Sequence, residues 1–177
     1  SVNAVLTATD STSGVGKLEY QVSTVSDTTY GAWKPYQLPV TLSDGMHEVA
    51  YKATDKAGNE SSVQKKAVKV DTMKPVVSVL ANGQPLELGR TFEDAVLVTF
   101  HAASTDIGSG IQQSSLTVNG VVYQQQQAVS FAGQLGMHQI QATAIDAAGN
   151  STVTTITIHV TTSESSLSQL LDRYIVS

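Results

Sequence analysis

The chain has 177 residues, which allows one large domain or two small ones. Apolar residues make up 41% of it, enough to form real cores, and the net charge of −5 argues against nucleic acid as a partner, because binding phosphates requires clustered Lys and Arg. Cysteine is absent, which excludes disulfides, Cys-ligated zinc and a thiol nucleophile. We expect no membrane insertion either, since no apolar run approaches the roughly 18 residues of a spanning helix.

Alternating hydrophobic residues predict β-strands along most of the chain, because a period of two places one face of a strand on a core. The pair Asn119-Gly120 predicts a two-residue hairpin turn. The loops 55–59 and 146–150 are typical of slightly longer hairpins with glycine in the left-handed conformation. The alternations, in chain order, are Val2 to Ala8, Leu18 to Val22, His47 to Ala53, Val96 to Ala102, His138 to Ala144 and Ile156 to Val160.

A repeated segment indicates that one module occurs twice. Residues 45–59 read GMHEVAYKATDKAGN and residues 136–150 read GMHQIQATAIDAAGN, with 8 of 15 positions identical. Each is preceded by the pattern D-x-x-S-G-[V/I], which starts at Asp10 in the first copy and at Asp106 in the second. The predicted fold class is therefore all-β, with two tandem immunoglobulin-like β-sandwiches and a short C-terminal helix. We place the sandwiches at residues 1–72 and 73–162.

The last 15 residues, 163–177, predict a linker and a helix. Leu167, Leu170, Leu171 and Tyr174 have the i, i+3, i+4, i+7 spacing of one amphipathic face, and Ser163, Ser165 or Ser166 is available as an N-cap. We interpret this segment as the first helix of a truncated helical domain.

The motifs of the first copy resemble tandem bacterial immunoglobulin-like (Ig-like, Big) repeats of secreted, multimodular Gram-positive enzymes that degrade polysaccharides. The matching segments are Asp10 to Val15, Glu19-Tyr20, Trp33 to Tyr36, Gly45 to Tyr51, Asp55 to Asn59 and Val70 to Pro75. The tail from Ser163 resembles the start of a helical FIMAH-like domain.

The resemblance implies a secreted, extracellular location, including association with the cell surface, and a monomeric chain. It also implies that the main partner is an upstream catalytic domain of the same polypeptide, a polysaccharide hydrolase or lyase. In the family pattern a further strand precedes Ser1, so the first sandwich is expected to lack its first strand. We expect no catalytic site in this chain and no required cofactor.

The leading functional hypothesis is a pair of non-catalytic accessory modules that act as a spacer and positioning arm. The alternative is a carbohydrate-binding module, in which Tyr30, Trp33 and Tyr36 stack on sugar rings. His47 and His138 occupy equivalent strand positions, and we expect them to be packed and hydrogen-bonded and not to form a catalytic pair.

The acidic loops give a second hypothesis, a structural Ca²⁺ bound by oxygen ligands at the loop ends. In the second copy the ligands are Asp71, Asp106, Asp146 and Asn150, and in the first copy they are Asp10, Asp55 and Asn59. The competing interpretation is that each aspartate accepts hydrogen bonds from its own turn, as Asp and Asn commonly do.

Overall fold

The computed structural model describes residues 1–24 and 29–175. They form two compact units, Ser1–Thr72 (unit 1) and Met73–Ser177 (unit 2). In the part of the chain that the structure describes, the regular secondary structure consists of strands and one helix, so the all-β fold class with a short C-terminal helix is confirmed. Within the described residues, that helix is too short and too polar to traverse a lipid bilayer.

The described residues of unit 1 form six strands in two sheets. The sheets have the orders β3-β2-β5-β6 and β1-β4, and the pairs are antiparallel. Its fully buried core cluster among the described residues consists of Val40, Leu42, Val49 and Val70. The strands are β1 (Val2–Ala4), β2 (Val15–Thr24), β3 (Lys34–Pro35), β4 (Val40–Leu42), β5 (Gly45–Asp55) and β6 (Gln64–Val70).

Unit 2, over its described residues 73–175, forms nine strands and the helix. Its two sheets have the orders β13-β10-β7-β8 and β12-β11-β14-β15-β9, and the β9–β15 pair is parallel. The elements are β7 (Val76–Ala81), β8 (Gln84–Pro85), β9 (Thr91–Glu93), β10 (Leu97–Thr105), β11 (Ile111–Val118), β12 (Val121–Tyr123), β13 (Ala128–Ser130), β14 (Gly136–Asp146), β15 (Ser151–Thr161) and α1 (Glu164–Ile175).

Strands β1–β6 of unit 1 and β10–β15 of unit 2 follow the same pairing scheme. The partner of Val2 is Leu42 in β4, and the partner of Val98 is Val129 in β13. Strands β2 and β11 each pair with the long strand that contains the repeated histidine, and each has a register shift near its start. Strands β7, β8 and β9 have no counterpart among the described residues of unit 1.

The predicted strand over Val2 to Ala8 is only partly observed, because β1 ends at Ala4. The equivalent strand β10 extends to Thr105, since its second half pairs with β7. No described strand pairs with residues 5–9, so the hydrogen bonds that would define a strand there are missing. A hydrophobic alternation therefore does not form a strand unless a neighbouring strand pairs with it.

The core of unit 2 is built around aromatic rings. Phe100 is fully buried, and its ring makes edge-to-face contacts with Phe92 and Phe131, each at 6.3 Å between centroids. Val77 and Val79 of β7 enter the same cluster. Burying apolar surface of this kind is the main contribution to the stability of a sandwich.

The Asn119-Gly120 hairpin is confirmed. Asn119 has φ 51° and Gly120 has φ 81°, and the flanking residues Val118 and Val121 face each other across β11 and β12. Two successive positive φ values are the requirement that favours Asn-Gly in a two-residue turn.

Helix α1 begins directly after Ser163, in agreement with the predicted N-cap. The Ser163 carbonyl accepts a hydrogen bond from the Leu167 N–H at 3.0 Å. Leu167, Leu171 and Tyr174 of the predicted apolar face are exposed. The side chains of Ser165, Ser166 and Leu170, which the sequence assigns to the cap or to that face, lie outside the described part of the chain.

Candidate functional site

The acidic loops of unit 2 bring two carboxylates together. Asp106 follows β10 and Asp146 ends β14, and a carboxylate oxygen of each lies within 4.8 Å of the other residue's. Asp146 is fully buried. Both are hard oxygen donors of the kind that Ca²⁺ prefers, and their mutual repulsion would be relieved by a cation. The donor set therefore fits calcium in its chemistry.

The same carboxylates already accept hydrogen bonds from their own turns. Asp106 accepts one from the Gly110 N–H at 2.7 Å. Asp146 accepts two from Asn150, one from the backbone N–H and one from the side-chain amide, both at 2.8 Å. Asn150 directs its side-chain amide nitrogen to Asp146. Its side-chain amide oxygen is therefore the atom that remains available as the predicted calcium ligand. The turn-capping interpretation accounts for every one of these contacts.

Asp71 follows the end of β6 and belongs to unit 1. Its side chain is half-buried. Its place among the calcium ligands stays a prediction from the sequence.

The acidic loops of unit 1 have the corresponding turn geometry. Asp10 accepts hydrogen bonds from the backbone N–H groups of Thr12, Ser13 and Gly14 at 3.1, 2.8 and 2.7 Å. These bonds, with that from Gly14 contributing most, hold the pKa of the Asp10 carboxyl below its ordinary value of 3.8 because they favour the charged form.

Asp55 is bonded to Asn59 as Asp146 is bonded to Asn150, through the backbone N–H and the side-chain amide at 2.8 Å each. The side-chain amide of Asn59 is the largest cause that lowers the pKa of the Asp55 carboxyl. Asp10, Asp55 and Asn59 line one open cavity of about 240 Å³. The cavity also includes Thr54, whose buried hydroxyl has no hydrogen-bond partner within the described residues.

The two repeated histidines are packed and hydrogen-bonded, as predicted. His47 and His138 are both buried. His47 Nε2 lies 2.7 Å from the Ser43 carbonyl oxygen, and His138 Nε2 lies 2.8 Å from that of Gln134. Because a carbonyl only accepts, Nε2 carries the proton in both rings. Asn119 donates its amide N–H to Nδ1 of His138 at 2.8 Å, so each nitrogen of that ring has a structural partner.

Tyr36 lies on the core side of unit 1. Its ring packs edge-to-face on Tyr20 with centroids 6.3 Å apart, and its hydroxyl accepts a hydrogen bond from the Leu6 N–H at 3.1 Å. Both rings contact the core cluster. Tyr36 therefore packs against the core and accepts the hydrogen bond of the Leu6 backbone N–H.

Trp33 and Tyr30 lie on the other face of the same sheet. Lys52 Nζ is 4.8 Å from the centre of the Trp33 ring, and Lys65 Nζ is 4.8 Å from that of Tyr30. Lys52 follows the core-facing Tyr51 in β5, and neighbouring side chains of a strand point to opposite faces of the sheet. The lysines therefore lie on the outer face. Of the three aromatic residues predicted to form a sugar platform, the structure therefore groups Trp33 and Tyr30 and separates Tyr36 from them.

Two contacts were not predicted from the sequence. Lysines cover both outer-face rings, an arrangement that depends on strand register and on the course of the segment after β2. In addition, buried Asp94 accepts the Ser163 N–H at 2.9 Å and so fixes the start of α1 to the segment after β9. An acidic residue followed 69 positions later by a helix cap gives no local signal in a sequence.

Comparison with known proteins finds a family model similar to most of unit 1 and a solved structure similar to most of the chain. Residues 4–72 match the family model described as a bacterial Ig-like domain. Among solved structures, the fibronectin(III)-like modules of Clostridium thermocellum CbhA are similar, with 22% identity, a TM-score of 0.42 and coverage of 88% of this chain and 83% of that chain. No curated protein matches the sequence.

Proposed function

We propose that this chain is a non-catalytic accessory part of a secreted, multimodular bacterial enzyme that degrades polysaccharides, and that its β-sandwich units act as a spacer and positioning arm. The observation that carries the proposal is the match of residues 4–72 to the bacterial Ig-like domain. The structural hydrogen bonds made by the repeated polar residues also support this proposal. His47 and His138 each bind a backbone carbonyl, and the loop aspartates cap their own turns.

The test of this role uses the full-length polypeptide that contains residues 1–177. Deleting these residues should leave turnover of a soluble oligosaccharide unchanged, because the reacting groups lie elsewhere. The same deletion should lower turnover of the insoluble polymer, where the position of the catalytic domain matters. Loss of activity on the soluble oligosaccharide, or release of reducing sugar by residues 1–177 alone, would contradict the proposal.

The alternative function is carbohydrate binding, with Trp33 and Tyr30 as the binding platform. It is supported by the position of both rings on the outer face of the β3-β2-β5-β6 sheet, next to two lysines that can donate hydrogen bonds. Affinity electrophoresis in gels that contain xylan or xanthan distinguishes the two functions. A binder is retarded and Trp33→Ala restores its mobility, whereas the core variant Tyr36→Phe stays retarded. Equal mobility with and without polysaccharide favours the spacer.

We further propose that Asp106 and Asp146 bind a structural Ca²⁺, with the Asn150 amide oxygen as a third ligand. The support is the approach of two carboxylates to within 4.8 Å, one of them fully buried. The corresponding site in unit 1 consists of Asp10, Asp55 and Asn59.

Thermal unfolding with and without a chelator tests the ion. A ligand present at 100 times its Kd and bound only to the native state adds about 2.7 kcal/mol of stability. We therefore expect a higher midpoint in 10 mM CaCl₂ than in EDTA, and loss of that difference in Asp106→Asn. Asp44→Asn is the control, because Asp44 bonds to Thr72 and is not among the proposed ligands. An identical midpoint in both buffers would reject calcium.

A further inference from the structure

The four-stranded sheet of unit 2, β13-β10-β7-β8, contains no Asp, Glu, Lys or Arg in its strands. The sheet of unit 1 that carries Trp33 differs, because its strands contain several lysines and carboxylates. Histidine is the one titratable residue type in the unit 2 sheet, where it occurs as His101 of β10. The outer face of this sheet therefore offers hydrogen bonds and apolar contact, without a fixed charge.

A cavity of about 400 Å³ opens on this outer face. His101 of β10 is the register partner of Leu80 in β7, and both are half-buried between inward-facing neighbours. The volume lies within the range of about 300–1,000 Å³ that is usual for small-molecule sites. The described lining residues are Leu80, Asn82, Gly83, Thr99, His101 and Gln126.

Hydrogen bonds to the backbone hold the walls of the cavity in place. Asn82 begins the turn between β7 and β8, and its side-chain oxygen accepts the Thr99 N–H at 2.9 Å. Its own N–H donates to the Thr99 carbonyl at 2.8 Å. On the opposite wall, Gln126 donates its backbone N–H to the Phe100 carbonyl at 3.0 Å. A ligand would therefore find a preformed site and would spend little free energy on ordering it.

The cavity has polar groups that no protein contact uses. Nδ1 of His101 is buried and has no hydrogen-bond partner among the described residues. Buried polar atoms in folded proteins normally have a partner, which is either protein or a bound molecule. The ring lines the cavity and can turn about its Cβ–Cγ bond, so that a ligand there can reach either ring nitrogen. The side-chain amides of Asn82 and Gln126 provide further N–H donors.

The chemistry of the lining selects one class of ligand. None of the described lining residues has a carboxylate to bind a metal ion, and none has an ammonium or guanidinium group to bind phosphate. Amides and an imidazole both donate and accept hydrogen bonds, as sugar hydroxyls do. Leu80 adds an apolar surface against which the C–H groups of a sugar ring can pack.

We propose that the cavity around His101 binds one sugar unit of a neutral polysaccharide. His101, Asn82 and Gln126 bond to its hydroxyls, and Leu80 contacts its C–H groups. This site goes beyond the functions proposed above, since Trp33 and Tyr30 lie in unit 1 and the spacer role requires no ligand. Either site can therefore fail without the other.

Nuclear magnetic resonance titration of the 177-residue chain with cellohexaose, xylohexaose and mannohexaose tests the site. At least one of them should bind, with the largest shifts at the backbone amides of Leu80, Thr99 and His101. The ring nitrogens of His101 should also shift, whereas those of His138 should not, because both already have protein partners. Hexagalacturonate, which carries a carboxylate on every unit, should bind at least about tenfold more weakly than the best neutral sugar, because the cavity has no cation to pair with it.

Substitutions in the cavity have matched controls elsewhere. His101→Ala should weaken binding at least about tenfold, and Gln126→Gly at least about threefold, because each removes hydrogen bonds to the sugar. Glycine suits the positive φ of 62° at position 126, so that this variant keeps the turn. His159→Ala changes an exposed histidine of the other sheet and should leave the affinity unchanged. Trp33→Ala should also leave it unchanged.

Four results would overturn the proposal. They are no binding of any neutral hexasaccharide at 10 mM, shifts located away from the cavity, parental affinity in both cavity variants, and loss of binding in Trp33→Ala alone, which would place the sugar on unit 1. Self-association of the chain that His101→Ala abolishes would identify a second copy as the occupant and would also reject it. Should His101→Ala unfold unit 2, Gln126→Gly still decides the question.

Discussion

Replacing Phe100 by alanine should destabilise unit 2 strongly. Phe100 is fully buried between Phe92 and Phe131, and both ring pairs are edge-to-face at 6.3 Å. Phe to Ala changes in cores cost about 3–5 kcal/mol, and each aromatic pair adds about 0.5–1.5 kcal/mol beyond buried area. With two such pairs lost at once, we expect a value in the upper half of that range, about 4–5 kcal/mol.

The assay is chemical denaturation followed by circular dichroism and fluorescence. Trp33 is the single tryptophan of the chain and lies in unit 1, so its fluorescence identifies the transition of that unit. The remaining transition belongs to unit 2. In a thermal scan the same loss lowers its midpoint by roughly 15 °C or more, at about 4–8 °C per kcal/mol for a domain of this size.

The control is Val76→Ala, because Val76 is exposed and surface changes usually stay within about 0.5 kcal/mol. A cost below about 1 kcal/mol for Phe100→Ala would refute the assignment of Phe100 to the centre of this core.

Three further substitutions have defined outcomes. Gly16→Ala should cost unit 1 about 1–3 kcal/mol in urea unfolding, because a Cβ there would lie 2.8 Å from the Asp55 carbonyl oxygen, whereas Gly31→Ala meets no atom within 4 Å and should be neutral; equal costs would contradict this packing. Because folding lowers the pKa of Asp10, its charged carboxyl stabilises unit 1 at pH values above the ordinary pKa of 3.8, and this stabilisation is lost as the pH falls through the folded-state pKa. Asp10→Asn should therefore reduce the difference in unit 1 stability between pH 7 and pH 3, and an unchanged difference would dismiss the capping role. His138→Phe should destabilise unit 2 by about 1–3 kcal/mol, since it removes the two hydrogen bonds of a buried ring, to the Gln134 carbonyl and the Asn119 amide, each worth about 0.5–1.5 kcal/mol; a calorimetric midpoint equal to the parent's would show that these bonds are dispensable.

The sequence was sufficient for features that depend on local rules. The Asn119-Gly120 turn needs two positive φ values, which a sequence shows directly. The inward position of both histidines follows from strand alternation combined with the repeat, and both are buried and bonded. Ser163 precedes the apolar helical spacing and is found at the start of α1.

Features that depend on contacts between residues far apart in the chain could not be predicted from the sequence. The alternation from Val2 to Ala8 is that of a strand, yet β1 ends at Ala4 because strand structure requires a hydrogen-bonded neighbour. The separation of Tyr36 from Trp33 depends on which face of the sheet each ring reaches. Likewise, the approach of Asp106 and Asp146 is a tertiary distance that the repeat suggested but could not measure.

Amide hydrogen exchange gives the most direct measurement of the claim that the two units share one pairing scheme, in which no described strand of unit 1 takes the place of β7. His101 and Ala103, whose backbone faces β7, should exchange slowly and only with opening of unit 2. Their counterparts Val5 and Thr7 should exchange close to the rate of an unprotected peptide, while the Leu6 amide between them is slowed by its bond to Tyr36. Strong protection of Val5 and Thr7 in the isolated, monomeric chain would contradict the account.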